Sequence, residues 1–354
     1  MSSPQSSCCS SSSDAEASPC SCSTGTPQLT EIRTTDSTIT FANRLDHFLA
    51  RWGINRMGHR VEPGLYRLGN PTSESLVFAS ANYTLSFDAL RSALAGNDVW
   101  ILVLDTKGIN VWCAAGKGTF GTDELVSRIE TTGLANIVTG RKIIVPQLGA
   151  PGVSWPGVLR RSGFNVEYGP VRASDLPAYL KEHTATPEMR RVRFPLWDRI
   201  ILIPVELVQA LPMTIISVLA AGFFLNWIIA AQLLTAILAG LVLFPALLPV
   251  LPTKDFSTKG LILGGIVMLP FIAAAGPAGA AGTSLNWGTY LISSLLIFPT
   301  VTAYLALNFT GCTPFTSRSG VRKEIFSYIR ILAVMIIAGL IIAGAGWLVQ
   351  AGVV

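Results

Sequence analysis

Residues 99–124 read VWILVLDTKGINVWCAAGKGTFGTDE, and the fold class follows from the order of the three segments within them. Residues 99–104 are six apolar side chains in a row, which is typical of a strand buried on both faces of a parallel sheet. The loop 106–121 holds four glycines, which let a backbone approach a ligand closely. Thr122 and the two acidic residues after it indicate a helix start. A strand, a Gly-rich loop and a helix in this order predict an α/β fold.

The same alternation continues on both sides of this stretch. Strands are predicted at 76–81, 99–104, 142–147 and 164–168, and helices at 86–95, 122–132, 155–162 and 174–182. An amphipathic stretch at 41–60 predicts one more helix before them. We therefore expect a Rossmann-like, mainly parallel sheet. Ligands of such sheets bind beyond the carboxyl ends of the strands, so the loops 106–121, 146–157 and 169–173 are the expected site.

Composition divides the chain in two. Half of the 354 residues are hydrophobic and 13% are charged, about half of the charged share of soluble domains. Only nine of the Lys, Arg, Asp and Glu residues follow Arg199. The part before it has a soluble composition, and the part after it does not. The net charge of +5 is modest, and no basic run is interleaved with aromatic residues, so nucleic-acid binding is disfavoured.

Five apolar stretches of bilayer-spanning length follow Arg199. They cover residues 200–223, 228–251, 260–281, 286–309 and 327–350. Lys and Arg precede the first stretch and occur in the second and fourth connections, whereas the first and third connections carry no charge. The positive-inside rule then predicts a multi-pass protein of the cytoplasmic (inner) membrane, with a cytoplasmic amino-terminal domain and the carboxyl terminus outside. The absence of a secretory signal pattern at the amino end agrees with this orientation.

These patterns predict four regions. Residues 1–40 form a Ser/Cys-rich disordered tail, 41–187 an α/β domain, 188–199 a basic linker and 200–354 a transmembrane domain with five helices. Two questions stay open at this stage. Cys8, Cys9, Cys20 and Cys22 are either part of a disordered tail or soft-metal ligands. Glu206, inside the first apolar stretch, is either functional or reaches the membrane surface.

Cys113 is the candidate for chemistry in the Gly-rich loop. The three histidines have no metal-ligand spacing, and no P-loop, nucleophile-elbow or zincin motif occurs, so a bound cofactor is favoured over a site built from side chains alone. A lone cysteine is commonly a buried structural residue, and that alternative stays open here. Lys117, four residues later, is either a solvated surface charge or a residue that positions the loop.

The run Asn110-Val-Trp-Cys-Ala-Ala-Gly-Lys117 resembles the signature of the HgcA family, the corrinoid proteins of microbial mercury methylation. The likeness extends to 70–72, 81–83, 146–152 and 168–172, and it covers nearly the whole chain after the tail. These elements also resemble the large subunit of the corrinoid iron–sulfur protein. That family lacks a membrane domain and the cysteine, and the D-x-H-x-x-G motif of corrinoid proteins with a histidine lower ligand is missing here as well.

The resemblance implies a corrinoid cofactor of the cobalamin type, with Cys113 as lower axial ligand of its cobalt. It also implies a set of residues that contact the corrinoid. They are Asn82, Tyr83, Asn110, Val111, Trp112, Cys113, Ala114, Ala115, Gly116, Lys117, Gln147, Leu148, Gly149, Gly169, Pro170 and Val171. Asn110 is expected to hydrogen-bond loop backbone or the thiolate, and Trp112 to pack against the ring. For the loops 146–152 and 169–171 the alternative is an ordinary connection.

The activity implied by the resemblance is transfer of a methyl group from methyl-cobalt to inorganic Hg(II), which makes the chain a corrinoid-dependent methyltransferase. A thiolate below cobalt donates electron density toward the opposite ligand, as it does in haem proteins. The implied partners are an HgcB-like ferredoxin with two 4Fe–4S clusters and a methyl donor from one-carbon (folate or pterin) metabolism. Two other functions stay open. The chain is then either a membrane-anchored methyl carrier for another acceptor, or a transporter or sensor without enzymatic activity.

Overall fold

A computed structural model describes residues 31–276, 285–309 and 318–353 of the protein. The amino-terminal part is a six-stranded mixed sheet with helices on both faces. Its strands are β1 (Arg33–Thr35), β2 (Gly64–Leu68), β3 (Val77–Ala81), β4 (Val99–Leu104), β5 (Lys142–Val145) and β6 (Asn165–Tyr168). Its helices are α1 (Phe41–Arg51), α2 (Thr84–Ala93), α3 (Val111–Lys117), α4 (Thr122–Thr131), α5 (Leu134–Ile137), α6 (Trp155–Ser162) and α7 (Leu176–Glu182).

The strand order is β1-β2-β4-β3-β5-β6, and the four strands from β3 to β6 are mutually parallel. These four are the predicted strands, and the prediction of a mainly parallel α/β sheet is confirmed. The chain passes from β3 to β4 on one side and then returns across β3 to β5 on the other side. Such a reversal opens a crevice at the carboxyl ends of the strands.

The strands are buried on both faces because successive side chains enter two different cores. Leu102 and Ile143 face the core formed with α3, α4 and α6. Ile101 and Ile144 face the core formed with α2 and α7. This double burial explains why β4 has six apolar residues in a row instead of alternating polar and apolar ones.

Three elements differ from the sequence-based prediction. β1 lies inside the predicted disordered tail 1–40 and pairs in parallel with β2. The sequence pattern does not predict β2, which pairs antiparallel with β4. Both strands are short, and they are stabilised by pairing with residues distant in sequence rather than by their own composition. The third element is α3, which lies inside the predicted loop 106–121, so the loop prediction was wrong for residues 111–117.

The membrane part contains, within the described residues, five helices long and apolar enough to cross a membrane. They are Leu196–Phe224, Trp227–Leu247, Phe256–Ala275, Trp287–Phe309 and Ser319–Gln350. The predicted fold class is thereby confirmed. The first of them contains α8 (Leu196–Ile200) and α9 (Ile203–Phe224), so α8 begins inside the predicted linker 188–199. The four tail cysteines, Cys312 and the end of the third predicted stretch lie outside the described residues.

Candidate cofactor site

A cavity of about 950 Å³ lies at the carboxyl ends of the parallel strands. Its walls come from the segments that follow β3, β4, β5 and β6, from α2, from the turn after α1 and from the first membrane helix. The volume is at the upper end of the range for pockets that bind small molecules and cofactors. The sheet therefore carries a cofactor-sized opening at the carboxyl ends of its parallel strands, where the sequence predicts the site.

Ten of the sixteen predicted site residues line this cavity. They are Tyr83, Asn110, Val111, Trp112, Cys113, Lys117, Leu148, Gly169, Pro170 and Val171. The other six do not line it, and they are Asn82, Ala114, Ala115, Gly116, Gln147 and Gly149. The roles assigned to all sixteen in cofactor binding stay predictions.

Cys113 sits in the first turn of α3 with a free, half-buried thiol. The helix starts because the Asn110 side chain caps it: Asn110 Oδ1 accepts a hydrogen bond of 2.9 Å from the Cys113 backbone N–H. It ends at Gly118, whose φ of 88° is a left-handed cap that favours glycine. A hydrogen bond from Asn110 to loop backbone was one of the two expected alternatives. The bond fixes the backbone that carries the thiol and does not involve Sγ.

The opposite side of α3 faces the protein core. Ala114 and Ala115 are buried there, which explains why they do not reach the cavity. The loop after β5 packs directly behind them. A Cβ on Gly152 would lie 2.2 Å from the Phe120 carbonyl oxygen and 3.0 Å from Ala115 Cα, and a Cβ on Gly149 would lie 2.5 Å from Phe120 Cε1. These glycines therefore let the loop pack closely behind α3 and against Phe120.

Asn82 organises the loop between β4 and α3. Its Oδ1 accepts hydrogen bonds from Thr106 N (3.1 Å), Thr106 Oγ1 (2.8 Å) and Gly108 N (3.0 Å). Its Nδ2 donates to Asp105 Oδ1 at 3.1 Å. Asn82 is only 1% exposed, so these bonds replace water completely. The side chain is thus occupied within the protein, and Asn82 positions the loop that leads to Cys113.

Gln147 is directed away from the cavity toward the segment between the two parts of the chain. Its Oε1 accepts a hydrogen bond of 3.2 Å from Arg190 Nη1. The backbone of the neighbouring loop makes a similar link, since Val171 N donates to Met189 O at 2.8 Å. The predicted linker is therefore attached to the cavity loops that follow β5 and β6.

The charges on the cavity wall are mainly positive. Arg51, Arg56 and Lys117 line it, and Arg172 is paired there with Asp198. Burial raises the pKa of the Tyr83 phenol, although Arg51 and Arg56 nearby act in the opposite direction. Tyr83 consequently keeps its proton at neutral pH and offers a hydrogen-bond donor to the cavity. The sequence analysis did not identify Arg51 and Arg56, because their amphipathic segment is far from the Gly-rich loop in sequence.

A polar network fixes the strands that carry two of the cavity loops. Glu167 of β6 forms an ion pair with Lys142 of β5 and accepts a hydrogen bond from the Tyr179 hydroxyl of α7. Burial alone would raise the pKa of Glu167, but the hydrogen bonds from Lys142 and Tyr179 outweigh it and the pKa is lowered. Because the ionised form is favoured in the folded protein, its contribution to stability is complete above the unfolded pKa of about 4.5.

We expect this network to make stability depend on pH in a defined window. As pH falls from about 4.5 through the lower pKa of the folded state, the contribution of Glu167, at most about 1 kcal/mol, is lost. Glu167→Gln should lower the unfolding temperature of the full chain in detergent at neutral pH. The unfolding temperature of this variant should also fall less than that of the wild type when the pH is lowered. Glu130→Gln, at an exposed position of α4, is the control. If the unfolding temperatures of the wild type and Glu167→Gln fall equally with pH, ionised Glu167 does not contribute to stability as expected.

Comparisons with known proteins cover most of the segments that line the cavity. Residues 54–174 match the family described as CO dehydrogenase/acetyl-CoA synthase delta subunit. Over 129 residues, which are 36% of this chain and 28% of the relative, the chain is 32% identical to the acetyl-CoA decarbonylase/synthase complex subunit gamma of Methanopyrus kandleri. The corresponding subunit of Methanocaldococcus jannaschii is 37% identical over 97 residues, 27% of this chain and 20% of the relative.

The Methanosarcina mazei subunit gamma 2 is 30% identical over 127 residues, 35% of this chain and 27% of the relative. The chain thus spans less than a third of the length of these relatives, and the five apolar helices lie outside the matched residues. All sixteen predicted site residues lie inside residues 54–174. The domain that holds Cys113 and most of the cavity wall is therefore related to subunits of acetyl-CoA synthase complexes.

Proposed function

We propose that the chain binds a corrinoid in this cavity, with Cys113 as the lower axial ligand of cobalt, and transfers a methyl group to inorganic Hg(II) to form methylmercury. The observation that carries the proposal is the free Cys113 thiol on the wall of a 950 Å³ cavity, in a domain related to acetyl-CoA synthase subunits. The HgcA-like run around Cys113 supports the choice of mercury as acceptor.

The residues on the wall fit such a group. A corrinoid brings its own ring of nitrogen ligands, so the protein needs to supply one axial donor, as in haem proteins. Cys113 is a single soft donor on a helix whose backbone is fixed from both sides, by the Asn110 cap and by Gly152 behind Ala115. Apolar side chains such as Leu148 and Val171 surround it and suit the edge of a flat macrocycle.

When bound, the corrinoid supplies a methyl group on cobalt, and this chain's own residues prepare its surroundings. Cys113 would hold the group through Sγ, and Trp112 would supply a flat apolar surface beside it. Tyr83 keeps a proton available for hydrogen bonding, because burial raises the pKa of its phenol. Arg51, Arg56 and Lys117 form no ion pair within the described residues, and their charges favour ligands that carry negative charge, including thiolate complexes of Hg(II).

The proposal includes partners and an orientation. The methyl group comes from one-carbon (folate or pterin) metabolism, and an HgcB-like ferredoxin with two 4Fe–4S clusters supplies electrons. The α/β domain lies in the cytoplasm and the carboxyl terminus outside. The orientation is supported by the basic residues that accompany alternate ends of the five apolar helices.

A second function is favoured by one observation. The relatives are named as subunits of acetyl-CoA decarbonylase/synthase complexes, which is compatible with a corrinoid methyl carrier for an acceptor other than mercury. The two functions share the cavity and the cofactor and differ in the acceptor alone.

One experiment tests the proposal and separates the two functions. The full chain, purified anaerobically in detergent, is loaded with methylcobalamin and supplied with Hg(II) and a low-potential reductant. We expect cobalamin to co-purify with the chain and methylmercury to form faster than in protein-free methylcobalamin. Binding without enhanced methylmercury formation would favour another acceptor, and failure to bind cobalamin would contradict both functions.

A further inference from the structure

We propose that the amino-terminal end of the first membrane helix is a wall of the cofactor cavity, so that the membrane domain positions and closes the site as well as anchoring it. This inference rests on the corrinoid function proposed above for the identity of the occupant. Ile201, Leu202 and Val205 line the same cavity as Cys113. At 3.6 residues per turn, positions 201, 202 and 205 lie within about 100° of one another around the axis, so the three are on one side of the helix.

The α/β domain contacts this helix at two other points. A Cβ on Gly53, in the turn after α1, would lie 3.1 Å from Val205 Cγ2, so the turn packs closely on the helix. Arg172, in the loop after β6, forms an ion pair with Asp198 of α8 and also donates to the Arg193 carbonyl oxygen. The wall is thereby attached to cavity segments on both sides of it.

The membrane domain holds the other side of the same helix. Arg199 is buried, and its Nη1 donates to the carbonyl oxygens of Pro245 (3.0 Å) and Ala246 (2.7 Å) at the end of the second membrane helix. Leu202 also packs against the cluster of Phe244, Phe256 and Phe309 from the neighbouring helices. Arg199 is thus a positioning residue, because the place of Leu202 at the cavity depends on the packing of the bundle.

The length of α9 indicates how close the cavity lies to the membrane. α9 has 22 residues, which correspond to about 33 Å at 1.5 Å per residue, close to the thickness of the hydrocarbon core. Leu202 and Val205 flank the start of α9 and therefore lie at the boundary between hydrocarbon and headgroups. The wall they form closes the cavity on the membrane side, so that polar molecules reach Cys113 from the cytoplasmic side.

The test measures access to Cys113 without any corrinoid. In the full chain reconstituted in lipid nanodiscs, with Cys8, Cys9, Cys20, Cys22 and Cys312 replaced by Ser, a membrane-impermeant sulfonated maleimide modifies Cys113. We expect Leu202→Ala to increase the rate several-fold, because the smaller side chain widens the cavity that the reagent enters from the cytoplasmic side, and Leu202→Trp to decrease it, because the larger side chain fills that cavity. Leu211, 51% exposed on the same helix, is the matched control, and its Ala and Trp variants should leave the rate unchanged.

A second measurement connects the wall to the cofactor. Leu202→Trp should weaken binding of hydroxocobalamin about tenfold or more, because overpacking disfavours a filled site, whereas Leu211→Trp should bind normally. Arg199→Gln alone should increase the rate of Cys113 modification. Combined with Leu202→Ala it should have little further effect, because both changes disturb the same wall.

The outcomes separate the two proposals. If the Ala and Trp variants of Leu202 modify at the same rates as those of Leu211, the proposal that Leu202 is part of the cavity wall is wrong. A faster modification of Cys113 in Leu202→Ala and a slower one in Leu202→Trp would support the wall, whether or not the chain binds hydroxocobalamin. Failure to bind hydroxocobalamin would contradict the proposed function and leave the wall supported.

Discussion

Replacement of Cys113 by Ala is expected to abolish methylmercury formation by the full chain, by more than about 100-fold. Changes in groups that merely orient a metal ligand cost about 10–100-fold, and loss of the ligand atom itself should cost more. The helix that carries position 113 should be retained. The Asn110 cap uses the backbone N–H of residue 113, which Ala also has, and Ala has a high helix propensity. The change therefore removes Sγ with little effect on the fold.

Two measurements distinguish the loss of ligation from loss of structure. The visible absorption spectrum of bound cobalamin should change between wild type and Cys113→Ala, and the unfolding temperature should remain similar. Ala114, whose side chain is buried in the core behind α3, provides the control position. Ala114→Gly should lower stability and leave the spectrum of bound cobalamin unchanged. Undiminished methylmercury formation by Cys113→Ala would overturn the proposed role of the thiol.

Asn82→Ala is expected to destabilise the full chain by about 2–5 kcal/mol, because it leaves the buried Thr106 and Gly108 N–H groups without an acceptor. The same change removes the hydrogen bond to Asp105. Because these residues precede α3 directly, we also expect faster modification of Cys113 by the sulfonated maleimide. Thermal or denaturant unfolding of the full chain in detergent measures the first effect.

The control for this prediction is Asn97, whose side chain also bonds backbone, through Nδ2 to Leu94 O and Ala95 O, but at a half-buried turn. Asn97→Ala should cost less than about 1 kcal/mol, since water replaces the lost partner there. A loss of stability in Asn82→Ala no larger than in Asn97→Ala would show that Asn82 does not hold the loop. If the folded Asn82→Ala chain gives the same spectrum of bound cobalamin as the wild type, Asn82 contributes to stability alone.

The four parallel strands and the five apolar helices could be predicted because their signals are local. β4 has six apolar residues in a row, and the helices beyond Arg199 are long apolar segments with few charges. α3 escaped prediction because the four glycines at 108, 116, 118 and 121 suggest a continuous loop. Only the cap from Asn110 distinguishes a short helix from a turn there.

The candidate site was predicted in part for the same reason. The run around Cys113 is contiguous in sequence, and most of its side chains line the cavity. The surroundings of Asn82 and Gly149 could not be predicted, because they come from distant segments: Thr106 and Gly108 for Asn82, and Phe120 for Gly149. A pattern in sequence does not show which side of a short helix or loop faces a ligand.

The sequence by itself determined the two-part organisation, the mainly parallel α/β class of the sheet and Cys113 as the candidate for chemistry, since each depends on residues that are neighbours along the chain. The tertiary structure alone decided that Arg51, Arg56, Leu202 and Val205 share a cavity with that thiol. Roughly 90 residues separate Cys113 from Val205. Such contacts arise from the packing of whole elements, and no local preference of the chain encodes them.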